Sequence, residues 1–70
     1  SGVERFCLSV NKNGSYNLIN AYNNDLYEGD NRESLICEVA KKLGATKIHR
    51  RKRIVIFNSN DRLNEQVVKK

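Results

Sequence analysis

The sequence predicts an α+β domain: a small antiparallel β-sheet, element order ββαββα, with helices packed on one face. Three observations carry this expectation. An Asn-Gly pair separates two stretches of alternating polarity, the strongest short-range hairpin signal. The stretch from Asp30 to Ala45 holds the start, apolar stripe and stop of an amphipathic helix. The run Ile54 to Phe57 is apolar and largely β-branched, as in a buried strand.

In the first strand Phe6, Leu8 and Val10 alternate with Arg5, Cys7 and Ser9, so one face meets the core. Asn13-Gly14 then suits a type I′ turn, which needs positive φ at both central residues. On the return strand Tyr16, Leu18, Asn20 and Tyr22 share one face, and Ile19 and Ala21 the other. The stretch Asn23 to Asp30 reads as a polar loop. In the helix Asp30 caps, with Glu33 three residues on in a capping-box arrangement. Leu35, Ile36, Val39, Ala40 and Leu43 form the stripe. Lys41 and Lys42 sit where the helix dipole favours cations, and Gly44 takes the left-handed stop.

The segment Thr46 to Ser59 is either one long strand or a hairpin turning at Arg50-Arg51-Lys52. A continuous strand lays four adjacent cations along both faces of the sheet, and burying any of them is costly. A protruding turn is therefore expected. The tail reads as a short helix capped by Ser59 or Asn60, with Leu63 and Val67 one turn apart.

Seventy residues make one domain, 1–70, near the lower size limit for independent folding. The chain is 39% hydrophobic but only 7% aromatic, so its core is small and aliphatic. Residues 1–2, Ser1-Gly2, read as an expression scar and Lys69-Lys70 as a cut, so the domain is expected to be excised from a larger protein. The net charge of +5 favours polyanionic partners. No apolar run approaches the ~18 residues of a membrane span, and no signal peptide is visible. Cys7 and Cys37 lie far apart without paired spacing, and with a single histidine they make too few ligands for zinc. Both read as reduced, buried small residues of an intracellular protein, nuclear, cytoplasmic or organellar. An intrachain disulfide, pointing to secretion, is the alternative.

No catalytic residue, metal site or cofactor emerges. His49 reads as a surface imidazole beside a basic turn. Asp25, Glu28 and Asp30 lack the spacing of a calcium loop, and Gly14, Gly29 and Gly44 each have a turn or cap role. What stands out is a basic cluster: Lys47, His49, Arg50, Arg51, Lys52 and Arg53, with Lys41 and Lys42 at the neighbouring helix end. Arginine suits bidentate contacts to phosphate or guanine. Lys12 at the first turn adds a backbone contact. Tyr16 and Tyr22 either pack at the core rim or stack on unpaired bases. The run Arg50 to Arg53 also fits a nuclear-import pattern. A processing site is disfavoured, because cleavage before Ile54 would split the sheet.

The order "RFCLSVNKNG", "LICEVAKKLGATKI", "RIVIFNSNDRLNEQVV" resembles the body of a LAGLIDADG homing-endonuclease half. The resemblance implies a sheet lying across duplex DNA, with Lys47, His49, Arg51 and Arg53 facing it. The signature helix does not precede Phe6. Glu4 is the sole acidic residue just before the strand, so no catalytic residue carries over.

The leading expectation is a non-catalytic nucleic-acid-binding module, for DNA or RNA, contacting phosphates through a basic strand and turn. The alternative is a protein-interaction or regulatory module, docking through residues such as Leu26 and Tyr27, in which the basic run is a surface or import feature. A degenerate or split nuclease half is a third reading.

Overall fold

A computed structural model describes residues 2–59. Strands β1 (Val3–Val10), β2 (Tyr16–Asn20) and β3 (Leu26–Gly29) precede helix α1 (Arg32–Leu43). Strands β4 (Ala45–Arg51) and β5 (Ile54–Ser59) follow it. The strands form one antiparallel sheet in the order β3-β2-β1-β5-β4. The α+β class and the antiparallel sheet with its helix on one face are as expected. The order is not: a third strand stands before the helix, giving βββαββ over the described residues. The expected C-terminal helix lies outside them.

The core lies between α1 and one sheet face. Phe6 and Leu8 of β1, Leu18 of β2, and Val55 and Phe57 of β5 meet Leu35, Ile36, Val39 and Ala40 of α1, all buried. Phe6 packs edge-on against Phe57 at 5.3 Å between ring centres. These residues follow the two periods visible in the sequence, alternate positions in strands and the i, i+3, i+4 stripe in the helix. Val10 departs from the pattern, being 63% exposed at the strand end.

The strand β3 replaces the expected loop. It forms because β2 templates it, Leu18 facing Tyr27 and Tyr16 facing Gly29. Buried Asn20 shapes the connection: its Oδ1 accepts from the backbone N–H of Tyr22 at 2.7 Å and of Asn23 at 3.2 Å. Tyr22 therefore belongs to that loop, not to β2, and does not share the strand face of Tyr16. Gly29 lets α1 approach closely, since a Cβ there would meet that of Leu35 at 3.3 Å.

The helix cap is Asn31 rather than Asp30. Its side-chain oxygen accepts from the Ser34 N–H at 2.9 Å. Gly44 closes the helix at φ 68°, the expected left-handed stop. The first hairpin stands, but its turn is not type I′. Gly14 N–H donates to the Asn11 carbonyl at 3.0 Å, Asn11 N–H donates to the Ser15 carbonyl at 2.7 Å, and only Gly14 has positive φ, at 92°. That is a longer loop ending in a glycine bulge.

Both cysteines are exposed, not buried. Cys7 sits on the sheet face away from the helix, and Cys37 on the outer side of α1, so the sheet and helix separate them. Geometry rules out a bridge between them.

Candidate nucleic-acid interface

The strand β4 is the sheet edge, and most of the basic run lies on it. The chain turns one residue later than expected, at Lys52–Arg53, with Arg51 paired to Ile54. Lys52 has φ 58°, a left-handed backbone that costs a side-chain-bearing residue about 1–2 kcal/mol.

A bulge decides which way the cations point. Ala45 pairs with Ser59 but Lys47 with Asn58, leaving Thr46 as the extra residue. Beyond it the pairs are Ile48 with Phe57, His49 with Ile56, Arg50 with Val55 and Arg51 with Ile54. Directly paired residues share a face. Ile48 and Arg50 thus lie on the helix side with Phe57 and Val55. Lys47, His49 and Arg51 lie on the open side with Asn58, Ile56 and Ile54. Were Thr46 instead to pair with Asn58 in a regular ladder, the assignment would invert.

Register adds a residue that composition does not single out. Arg5 pairs with Ile56, which pairs with His49, so Arg5 stands in the same row two strands away. The signal was its place in the β1 alternation, opposite Phe6. The open face of β1, β5 and β4 therefore carries Arg5, Lys47, His49 and Arg51 around Ile54 and Ile56. Glu28, its acidic residue on the far strand β3, is held by the Asn11 Nδ2 at 3.2 Å. Among the described residues the one helix packs on the opposite face.

The remaining expected site residues disperse. Arg50 turns to the helix, its Nη1 donating to Glu33 Oε2 at 2.7 Å. That bond, more than the nearby charge of Arg32, holds the Glu33 carboxyl below its ordinary value. Lys42 lies over the Tyr27 ring at 5.5 Å, toward β3 and away from β4, so it does not converge on the basic edge. Lys41 is exposed in the last helical turn. Lys12 is exposed in the β1–β2 loop, at the same sheet end as the Lys52–Arg53 turn.

The aromatic residues stay off the open face. Tyr16 and Tyr27 pack against the core from the helix side. Tyr22 is 65% exposed in a loop. Glu4 lies inside β1 and accepts from Asn20 Nδ2 at 2.9 Å. Among the described residues no group of three or more His, Cys, Asp or Glu side chains gathers as metal ligands require. No described helix is long and apolar enough to cross a membrane.

No protein family, curated protein or solved structure matches this chain.

Proposed function

We propose that the domain is a non-catalytic module that binds duplex nucleic acid through the open face of its sheet. One observation carries the reading: the Thr46 bulge sets Lys47, His49 and Arg51 on one face, in line with Arg5. Alternate strand residues stand about 6.8 Å apart, so Lys47 to Arg51 spans roughly 13 Å, room for several phosphates of one strand. The absence of aromatics on that face among the described residues favours duplex backbone over unpaired bases, which need stacking platforms. The resemblance to a LAGLIDADG half implies the same face for Lys47, His49 and Arg51, while Arg53, also expected there, lies in the turn opposite the core residue Leu8. Lys52 and Arg53 extend the contact at the turn.

Fluorescence anisotropy with duplex DNA, duplex RNA and single strands at several salt concentrations tests this. Affinity for duplex should fall steeply with salt, the slope losing about 0.9 for each phosphate contact removed. Changing Arg5, Lys47 and Arg51 together to Ala should flatten the slope by roughly 2–3. Arg50→Ala, a change of one charge on the helix side, should move it by less than one contact. Unchanged binding by the triple variant refutes the open face as the site.

A protein-docking reading has its own observation: Leu26 is 57% exposed at the other edge of the same face. It requires a partner whose binding is lost in Leu26→Asp and kept in the triple variant.

A further inference from the structure

The strand β1 is longer than its partner on one side. Pairing with β5 runs from Val3 to Cys7, and Leu8 N–H makes a last bond to the Arg53 carbonyl at 2.7 Å. There the β4–β5 hairpin turns away while β1 continues to Val10, leaving a notch. Strand alternation aims backbone N–H groups of residues 6, 8 and 10 toward the β5 side. The Val10 N–H therefore points into the notch, past the last hairpin bond.

The notch opens as a cleft of about 400 Å³, within the ~300–1,000 Å³ of small-molecule sites. Three cations from two separate elements line it: Arg32 from the start of α1, and Lys52 and Arg53 from the turn. Leu8, Val10 and Tyr16 supply an apolar wall. Neither Lys52 nor Arg53 has an ion pair among the described residues. Arg32 stands 3.7 Å from a Glu33 oxygen that Arg50 holds at 2.7 Å. Lys52 keeps its position only at the cost of a left-handed backbone that glycine or asparagine would take more easily, and strain of this kind gathers at functional sites.

Converging cations beside a backbone donor suit a doubly charged phosphate. An adjoining tyrosine ring and valine side chain suit a flat heterocycle. We propose that this cleft binds a nucleoside 5′-monophosphate unit, its phosphate among Arg32, Lys52, Arg53 and the Val10 N–H, its base against Tyr16 and Val10. The unit is either a free nucleotide or the phosphorylated end of a strand. The site lies at the loop end of the domain; it shares the Lys52–Arg53 turn with the proposed duplex contact but uses none of Arg5, Lys47, His49 and Arg51, and stands whether or not the open face binds duplex.

Backbone amide NMR titrations with adenosine monophosphate, inorganic phosphate, and dinucleotides bearing a 5′-phosphate or a 5′-hydroxyl test it. Shifts should centre on Val10, Tyr16, Arg32 and residues 52–53. The 5′-phosphate should tighten binding about tenfold, the worth of one charge-assisted hydrogen bond. Arg32→Ala and Lys52→Ala should each remove that preference, while the Arg5, Lys47 and Arg51 triple variant keeps it. Binding of the mononucleotide alone assigns a free ligand, and of the phosphorylated dinucleotide alone a strand end. Absence of shifts with both, or shifts confined to the open face, overturns the proposal.

Discussion

Two turns reverse the chain at the same end of the sheet. Between β1 and β2, Gly14 takes the positive φ, and an amide network fills the loop. Asn13 Oδ1 accepts from Ser15 N–H at 3.0 Å and Ser15 Oγ at 2.7 Å, and Asn11 and Asn17 exchange side-chain bonds at 3.1 and 2.8 Å. Between β4 and β5, Lys52 takes the positive φ with Arg51 and Arg53 beside it. The first turn is written in its own residues, which favour that bend in isolation. The second is imposed from outside, by Val55 and Phe57 seated in the core and by the pairing of Arg51 with Ile54. A turn that folds against its local preference keeps residues for something other than turning.

The sharpest way to break this contrast is to remove the outside support. Phe57→Ala should cost about 3–5 kcal/mol, nearly all that so small a core supplies. A urea melt followed by circular dichroism should show no folded baseline. If the protein melts normally, the second turn does not depend on the core.

Exchanging the two turn chemistries sharpens the contrast. Gly14→Ala forces a Cβ into φ 92° and should cost about 1–2 kcal/mol. Lys52→Gly should do the reverse, raising stability by up to about 1 kcal/mol once the added freedom of the unfolded chain is offset. In a domain of this size each kcal/mol moves Tm by roughly 4–8 °C. Lys52→Gly should also weaken polyanion binding, and a stabler variant with undiminished affinity would show that the lysine serves neither purpose.

The smallest effect concerns the bond tying the second hairpin to α1. Arg50 lowers the Glu33 carboxyl below 4.5 when folded. A carboxyl depressed on folding adds stability above its unfolded value and loses it as pH falls through the folded one. The wild type should therefore lose slightly more stability than Glu33→Gln on acidification below 4.5. Both groups are exposed, so the difference is small, and equal slopes would mean the pair is idle.

The helix was legible because its signals are local. Leu35, Ile36, Val39 and Ala40 repeat at helical spacing, and Gly44 stops it. The cap was off by one because Asp30 and Asn31 are adjacent residues of the same capping type, and only the bond to Ser34 separates them. The strand β3 was not legible: Leu26 and Tyr27 are too few to signal a strand, which forms by pairing onto β2. Of the site, the concentration of cations on β4 and its turn could be read directly. Their division between two faces could not, since Thr46 carries no mark of a bulge. Arg5 joins them only through register, and Arg32 only through the path of α1 across the sheet.

The register gives that division an unusual genetic form. Losing the Thr46 codon would substitute no residue and leave the net charge at +5. Lys47 would still pair with Asn58 and Arg51 with Ile54, so Lys47, His49 and Arg51 would keep their face and only the bulge would go. Losing the His49 codon instead would let the bulge straighten, pairing Ile48 with Ile56 and Lys47 with Phe57, and Lys47 would turn to the helix side. In this chain the cationic face is counted from the turn.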